Sequence, residues 1–319
     1  MRGGLSTRVL AVARALSCTM AAPRVQLYLR RSAGVAMVAV FCAMLLSLWH
    51  PVFRFTQLLQ VDRHNEPRLM AVLRTQPVVL NDGGYDGQYY AQLACDPTLR
   101  SPDLTNAIDS LSYRARRILL PAVAWTLGLG NPGSAVAIYP WLNIACWLVL
   151  AVLLWPLLEA DMHWRGLLAW GGVLFSAGSL ASVRYALTDL PALLLLVLAM
   201  RAATAGREGR MAAWLGASLL TRETVLAGAW GLCSKAWDWS ARWMRGAMWI
   251  ALAVVPFALW MVYVKYRVGN ASSGSGNFAM PLVGLARHWR DSIAWLGTCP
   301  EPWLAWSSLL ALVAVTAQL

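Results

Sequence analysis

Long runs of apolar residues without a single charge decide what this chain can become. Ala33 to Trp49, Ala135 to Leu158 and Gly166 to Val183 contain no Asp, Glu, Lys or Arg. A helix of about 20 apolar residues crosses a hydrocarbon core of about 30 Å, so each run reads as a transmembrane span. Composition agrees, because 59% of the chain is hydrophobic and only 13% is charged, against about 25% charged in soluble domains. The expected fold class is all-α: a polytopic helical membrane protein whose solvent is the bilayer.

Charge then sets the topology. Residues 1–31 carry Arg2, Arg8, Arg14, Arg24, Arg30 and Arg31 and no acid, which makes them a basic cytoplasmic N-terminal tail. The first span leads to a polar loop from His50 to Tyr113 holding Asp62, Glu66, Asp82, Asp86, Asp96, Asp103 and Asp109, too long for a passive connection. Ile118 to Gly130 would extend only about 20 Å as a helix, so it reads as an interfacial or half-inserted segment closing a first outer loop over 50–130. Arg184 and Tyr185 form a minimal outer turn, and Leu187 to Met200 descends to the basic connection Arg201, Arg207 and Arg210. Met211 to Leu220 and Val225 to Ala236 flank Thr221-Arg222-Glu223-Thr224. A single straight span would place an Arg and a Glu at mid-bilayer, at about 2.5–3.5 kcal/mol each, whereas a helical hairpin puts them at its tip. Ile250 to Val264 rises to a late outer loop over 265–302, and Trp303 to Leu319 begins a last span. The expectation is about eight hydrophobic passes in one transmembrane domain, 32–319. The sequence stops inside an apolar run, as a piece of a longer protein would.

The net charge of +12 raises nucleic acid as a partner. The arginines, however, sit at the ends of apolar runs rather than along a soluble face interleaved with aromatics, so no nucleic-acid interface is expected. Cys18, Cys42, Cys95, Cys146, Cys233 and Cys299 show no CxxC spacing and the four histidines are isolated, so no zinc or redox motif is present. Cys95 and Cys299 both fall on the outer face in this topology, where a disulfide is permitted.

Chemistry concentrates in Asn81-Asp82-Gly83-Gly84-Tyr85-Asp86-Gly87-Gln88-Tyr89-Tyr90. Carboxylates, glycines and tyrosines directly after a span can form a tight loop that brings backbone and carboxylate to a ligand at the bilayer edge. Asp86 has two readings: a reacting carboxylate, or the N-cap of a short helix from Gly87 to Ala94. Arg114, Arg116 and Arg117 suit forked hydrogen bonds to a phosphate, or else anchor lipid headgroups. Arg222 and Glu223 either line a pocket from the hairpin tip or form an ion pair that spares the tip an unpaired charge.

Tyr85-Asp86-Gly87-Gln88-Tyr89-Tyr90, then Tyr113 to Pro121, then Leu220-Thr221-Arg222-Glu223-Thr224, each at an outer membrane edge, together resemble bacterial polytopic glycosyltransferases of the GT-C superfamily, mannosyltransferase-like. The resemblance runs from about residue 80 to 290 and includes Gly276-Asn277-Phe278-Ala279-Met280-Pro281. It implies a multi-pass protein of the bacterial inner membrane that takes a sugar from a polyprenyl-phosphate donor, with an acid of the first outer loop as base. Asp86 matches that position. Asp82 is a second candidate, although the spacing is Asp-x-x-x-Asp rather than the Asp-x-Asp of paired acids. Tyr85, Gln88, Tyr89, Arg114, Arg116, Arg117, Arg222 and Glu223 would then bind substrate. The resemblance leaves a divalent metal open as a cofactor, but no His or carboxylate cluster here demands one. Sugar and acceptor are not specified by these residues.

A lipid or polysaccharide transporter, or a non-catalytic assembly subunit with the same shell, would use such charges differently. A transporter places ionisable groups near the midplane. Here they crowd one edge, which favours the enzyme.

Overall fold

The computed structural model describes residues 23–160, 164–227 and 242–269, with isolated helical positions at 283, 287, 289–291, 293 and 294. Helix α1 (Pro23–Leu46) begins well before the first apolar run, so Arg24, Arg30 and Arg31 lie on the same helix as that run, while residues 1–22 of the expected tail lie outside the described residues. Among the described residues four helical stretches are long and apolar enough to cross a membrane: Arg24–Leu46, Pro132–Leu153, Arg165–Arg184, which is made of two shorter helices, and Gly246–Val268. Only 11% of the apolar window of the last is buried inside the protein, so the remainder needs an apolar surrounding. The protein is membrane-associated.

The segment between the first two spans folds into a cap. It contains β1 (Val61–Asp62), α2 (Ala71–Arg74), β2 (Leu80–Asn81), α3 (Gly87–Cys95), α4 (Asp103–Ala107), α5 (Leu111–Arg114) and α6 (Leu119–Leu127). Among the described residues the paired strands are β1 and β2, which run parallel with Val61 opposite Leu80 and Asp62 opposite Asn81. Leu59, Leu73, Leu93 and Leu104 are fully buried in this cap and pack with Val136 and Tyr139 of the following span and Val264 of the last. Two buried glutamines four residues apart on one face of α3 stitch it to the backbone. The Asp62 N–H donates to Gln88 (3.2 Å) and the Met70 N–H to Gln92 (3.0 Å), while the Gln92 amide donates to the Ala107 carbonyl (3.0 Å).

Next come α7 (Pro132–Leu153), α8 (Leu157–Ala160), α9 (Arg165–Leu174) and α10 (Ala177–Arg184). The run read as one span from Gly166 to Val183 is two helices, broken at Phe175-Ser176. Ser176 caps α10 by accepting the Ser179 N–H, and its own hydroxyl donates to the Val173 carbonyl (3.0 Å), as does that of Ser179 (2.7 Å). Trp147 Nε1 donates to the Leu174 carbonyl (2.9 Å). A break at membrane depth is tolerable only when the freed carbonyls find donors in this way.

Helices α11 (Asp189–Thr204) and α12 (Glu208–Thr221) have 16 and 14 residues. At about 1.5 Å per residue they fall short of a 30 Å core. Small residues, Ala199, Ala202, Ala212 and Ala253, let α11, α12 and α13 (Arg242–Val268) pack closely. The expected second arm of the hairpin is helical from Val225 to residue 227. The rest of that arm, the 276–281 motif, Cys299 and the 303–319 run lie outside the described residues. At its far end α13 clamps the cap. Trp260 Nε1 donates to the Ala115 carbonyl (2.7 Å), Tyr263 Oη to Thr98 O (2.6 Å) and Arg267 Nη2 to Leu99 O (3.2 Å).

Candidate functional site

The Asp86 loop is held by close backbone approach. A side chain on Gly87 would place its Cβ 2.3 Å from the Tyr185 carbonyl and 3.0 Å from that of Leu59, so only glycine fits. One on Gly84 would meet Gln88 and Asp62 at 2.4 and 2.8 Å, whereas Gly83 faces open space. The turn that Gly87 touches closes α10 with the paired hydrogen bonds of a Schellman motif, Leu187 N to Ser182 O (2.8 Å) and Ala186 N to Val183 O (3.3 Å). Its left-handed residue is Ala186 (φ 47°), a conformation that costs a non-glycine residue about 1–2 kcal/mol. Tyr185 stacks on Tyr85 with ring centroids 4.5 Å apart.

The capping alternative for Asp86 fails. Helix α3 does begin at Gly87, but the Asp86 carboxylate makes no capping hydrogen bond and pairs instead with Arg114. Arg114 is fixed from three sides. Its Nε and Nη2 donate to the two Asp109 oxygens (3.1 and 3.0 Å), Nη1 donates to Asp86, and its guanidinium lies over the rings of Tyr89 (5.0 Å) and Tyr113 (5.6 Å). The Asp86 side chain remains 35% exposed, so part of its carboxylate faces outward.

Arg117, 5% exposed, is the buried hub. Nε and Nη2 donate to the two oxygens of Glu223 (both 3.2 Å), Nη1 to Tyr90 Oη (2.9 Å) and Nη2 also to Tyr113 Oη (2.8 Å). A guanidinium has five N–H donors, so four are committed to the protein. Burial alone would raise the Glu223 carboxyl, but the Arg117 hydrogen bonds and the charges of Arg117 and Arg116 hold it below the usual range. Burial pushes the Tyr90 phenol up against the opposing pull of Arg117, and burial with the Asp109 charge raises Tyr89 against Arg114.

Arg222 and Glu223 do not pair with each other. Arg222 reaches Asp189 at the start of α11 while Glu223 reaches Arg117, so the tip ties two other elements together. Arg116 lies over the Tyr113 ring at 5.6 Å. Asp82 is 86% exposed and pairs with Arg63 at 3.2 Å on the surface, apart from the Arg114 network. Gln88 is buried in the cap's own hydrogen bonding. Among the described residues no group of three His, Cys, Asp or Glu is placed to hold a metal ion. Cys95 is a buried free thiol, pushed up to about 12 by burial and the Asp96 charge.

Asp109, Asp189 and the Arg184-Tyr185 turn join the site without having been assigned a role in it from sequence. Asp109 lies five residues before Arg114, a spacing that neither helical nor strand periodicity singles out. The resulting surface offers a carboxylate fixed at one oxygen by a rigid guanidinium, with tyrosine rings beside it. Such an arrangement can accept and orient a hydroxyl. Comparison with family models, with curated proteins and with solved structures finds no match to this chain.

Proposed function

We propose that this chain is a GT-C-type membrane glycosyltransferase that moves a sugar from a polyprenyl-phosphate donor to an acceptor at the outer face of the cytoplasmic membrane. The observation that carries this reading is the Asp86–Arg114–Asp109 arrangement: a part-exposed carboxylate, not used as a cap, locked in place by an arginine with its own carboxylate anchor. In this reading Asp86 orients and deprotonates the acceptor hydroxyl. Arg114 positions Asp86, and Arg117 positions Glu223 and the tip that carries it. With most of their donors committed to protein acceptors, neither serves as the main ligand of the departing phosphate, which needs another cation. The topology belongs to the same proposal: a cytoplasmic N-terminus, about eight passes, and the cap, the 184–188 turn and the Arg222-Glu223 tip all outside.

The test is transfer from a panel of radiolabelled polyprenyl-phosphate sugars in membranes holding matched amounts of wild type or Asp86→Asn. Transfer by wild type alone supports the reaction class and the base. Turnover by Asp86→Asn at the wild-type rate removes Asp86 from the mechanism. Silence of an intact wild type across the panel moves the reading to transport or assembly.

A further inference from the structure

Beside Asp86 lies a set of buried hydrogen-bonding groups that the arrangement above leaves unused. Arg184 Nη1 is buried, and no hydrogen-bond acceptor is found for it among the described residues. The same holds for the hydroxyl of Thr188, which is 1% exposed, and for that of the fully buried Tyr139. A buried donor left unsatisfied costs about 1–3 kcal/mol, and more when it is charged, so these groups point to an acceptor that the described residues do not supply.

Arg184 and Thr188 flank one short turn, and the Tyr185 carbonyl of that turn abuts Gly87, the residue after Asp86. The Arg184 guanidinium lies over the Tyr185 ring at 5.6 Å, and that ring stacks on Tyr85, the residue before Asp86. Tyr139 packs in the same core as Tyr90 and Ala186. Thr188 occupies the N-cap position of α11, yet its side chain makes no capping bond. One first-turn amide of α11, that of Leu190, is taken by the Ser182 hydroxyl at 3.0 Å. The start of this 16-residue helix carries a partial positive charge, and it lies five residues after Arg184 in the chain. The acid in that first turn, Asp189, is neutralised by Arg222. Arg184 Nη1 and the Thr188 and Tyr139 hydroxyls are donors with no acceptor among the described residues, and the charge they carry is positive, which selects an anion with several acceptor oxygens.

We propose that Arg184 Nη1, the Thr188 hydroxyl and the N-terminus of α11 form a phosphate-binding site against the Asp86 loop. Arg184 is then the cation that the committed donors of Arg114 and Arg117 leave to be found. That the phosphate is carried on a polyprenyl lipid rests on the transferase reading; the anion site itself does not.

The experiment uses the full chain in lipid nanodiscs and follows tryptophan fluorescence during titration with a polyprenyl phosphate, the uncharged polyprenol of equal length, and inorganic phosphate. Wild type should bind the polyprenyl phosphate at least ten-fold more tightly than the polyprenol. Arg184→Gln should erase that preference, Arg184→Lys should retain part of it, and Arg210→Gln, which removes a distant exposed arginine, should leave it unchanged. Without ligand, Arg184→Gln should unfold at the wild-type temperature or above, because it removes a buried N–H donor that has no acceptor among the described residues. A lowered midpoint would make Arg184 a structural residue and overturn the proposal. So would an undiminished phosphate preference in Arg184→Gln, and if wild-type membranes transfer sugar the transferase reading survives that failure. Binding of inorganic phosphate that Arg184→Gln abolishes, without any preference for the polyprenyl phosphate, keeps the anion site and removes the lipid donor.

Discussion

Arg117 and Glu223, 106 residues apart in the chain, share two hydrogen bonds of 3.2 Å, and this pair joins the cap to the segment after α12. Both partners are largely withdrawn from solvent, so removing either leaves an uncompensated charge. Arg117→Met and Glu223→Met are each expected to destabilise by about 3–5 kcal/mol. The double variant should cost clearly less than the sum, since it strands no charge. Thermal unfolding of the four proteins in one detergent gives the coupling, and additive effects would mean the pair does not form.

The same pair sets an acid limit. Glu223 is held below the ordinary glutamate value, so its contribution to stability is fully present above about pH 4.3 and is lost as pH falls through its lower folded value. Arg117 stays charged throughout. Asp96 acts with the same sign: burial would raise it, but hydrogen bonds from Thr98, Ser101 and Arg100 hold it low. The unfolding midpoint of wild type should therefore drop steeply below about pH 4.3, and that of Glu223→Gln should drop less. Equal slopes for the two would show that Glu223 is not ionised in this pair.

Much of the fold was legible because bilayer physics is written in composition. The spans at α1, α7 and α13 and the turn at Arg184-Tyr185 follow from apolar runs and their polar ends, and the start of α3 at Gly87 follows from Asp86 as a helix-starting residue type. The break at Ser176 was not legible, since no Pro or Gly marks it; it exists because Trp147 and Ser179, distant or out of phase in sequence, collect the freed carbonyls. The site was half legible for a related reason. Residue types announced Asp86, Arg114, Arg117 and Glu223, but their partners depend on which loops meet in space. Asp82 and Asp86 look alike in sequence, and only the fold sends one to Arg63 and the other to Arg114.

Glycine spacing in the motif yields a sharp contrast. Gly87→Ala would drive a methyl into two backbone carbonyls that cannot rotate away, and is expected to cost about 1–3 kcal/mol and to displace the start of α3. Gly83→Ala meets nothing within 4 Å and should be close to neutral. Thermal midpoints of the two variants measured side by side decide this, and equal shifts would refute the close approach of Gly87 to Tyr185.

The anchoring of Arg114 by Asp109 separates positioning from chemistry. Asp86→Asn removes the carboxylate itself, so under the transferase reading transfer should fall to background. Asp109→Asn leaves Asp86 intact but gives Arg114 a neutral amide in place of a bidentate carboxylate, loosening the guanidinium that holds Asp86. A misplacement of about 1 Å at a reacting group costs on the order of 100-fold in rate, so Asp109→Asn should lower kcat by up to that factor with KM little changed. Because Arg114 also lies between Tyr89 and Tyr113, replacing it with Lys keeps a charge but loses the planar fork and its ring contacts. Arg114→Lys should therefore resemble Asp109→Asn in kcat, and combining the two should add little, since both act by freeing the same carboxylate. Rates that multiply in the double variant would show that Asp109 and Arg114 serve the reaction independently.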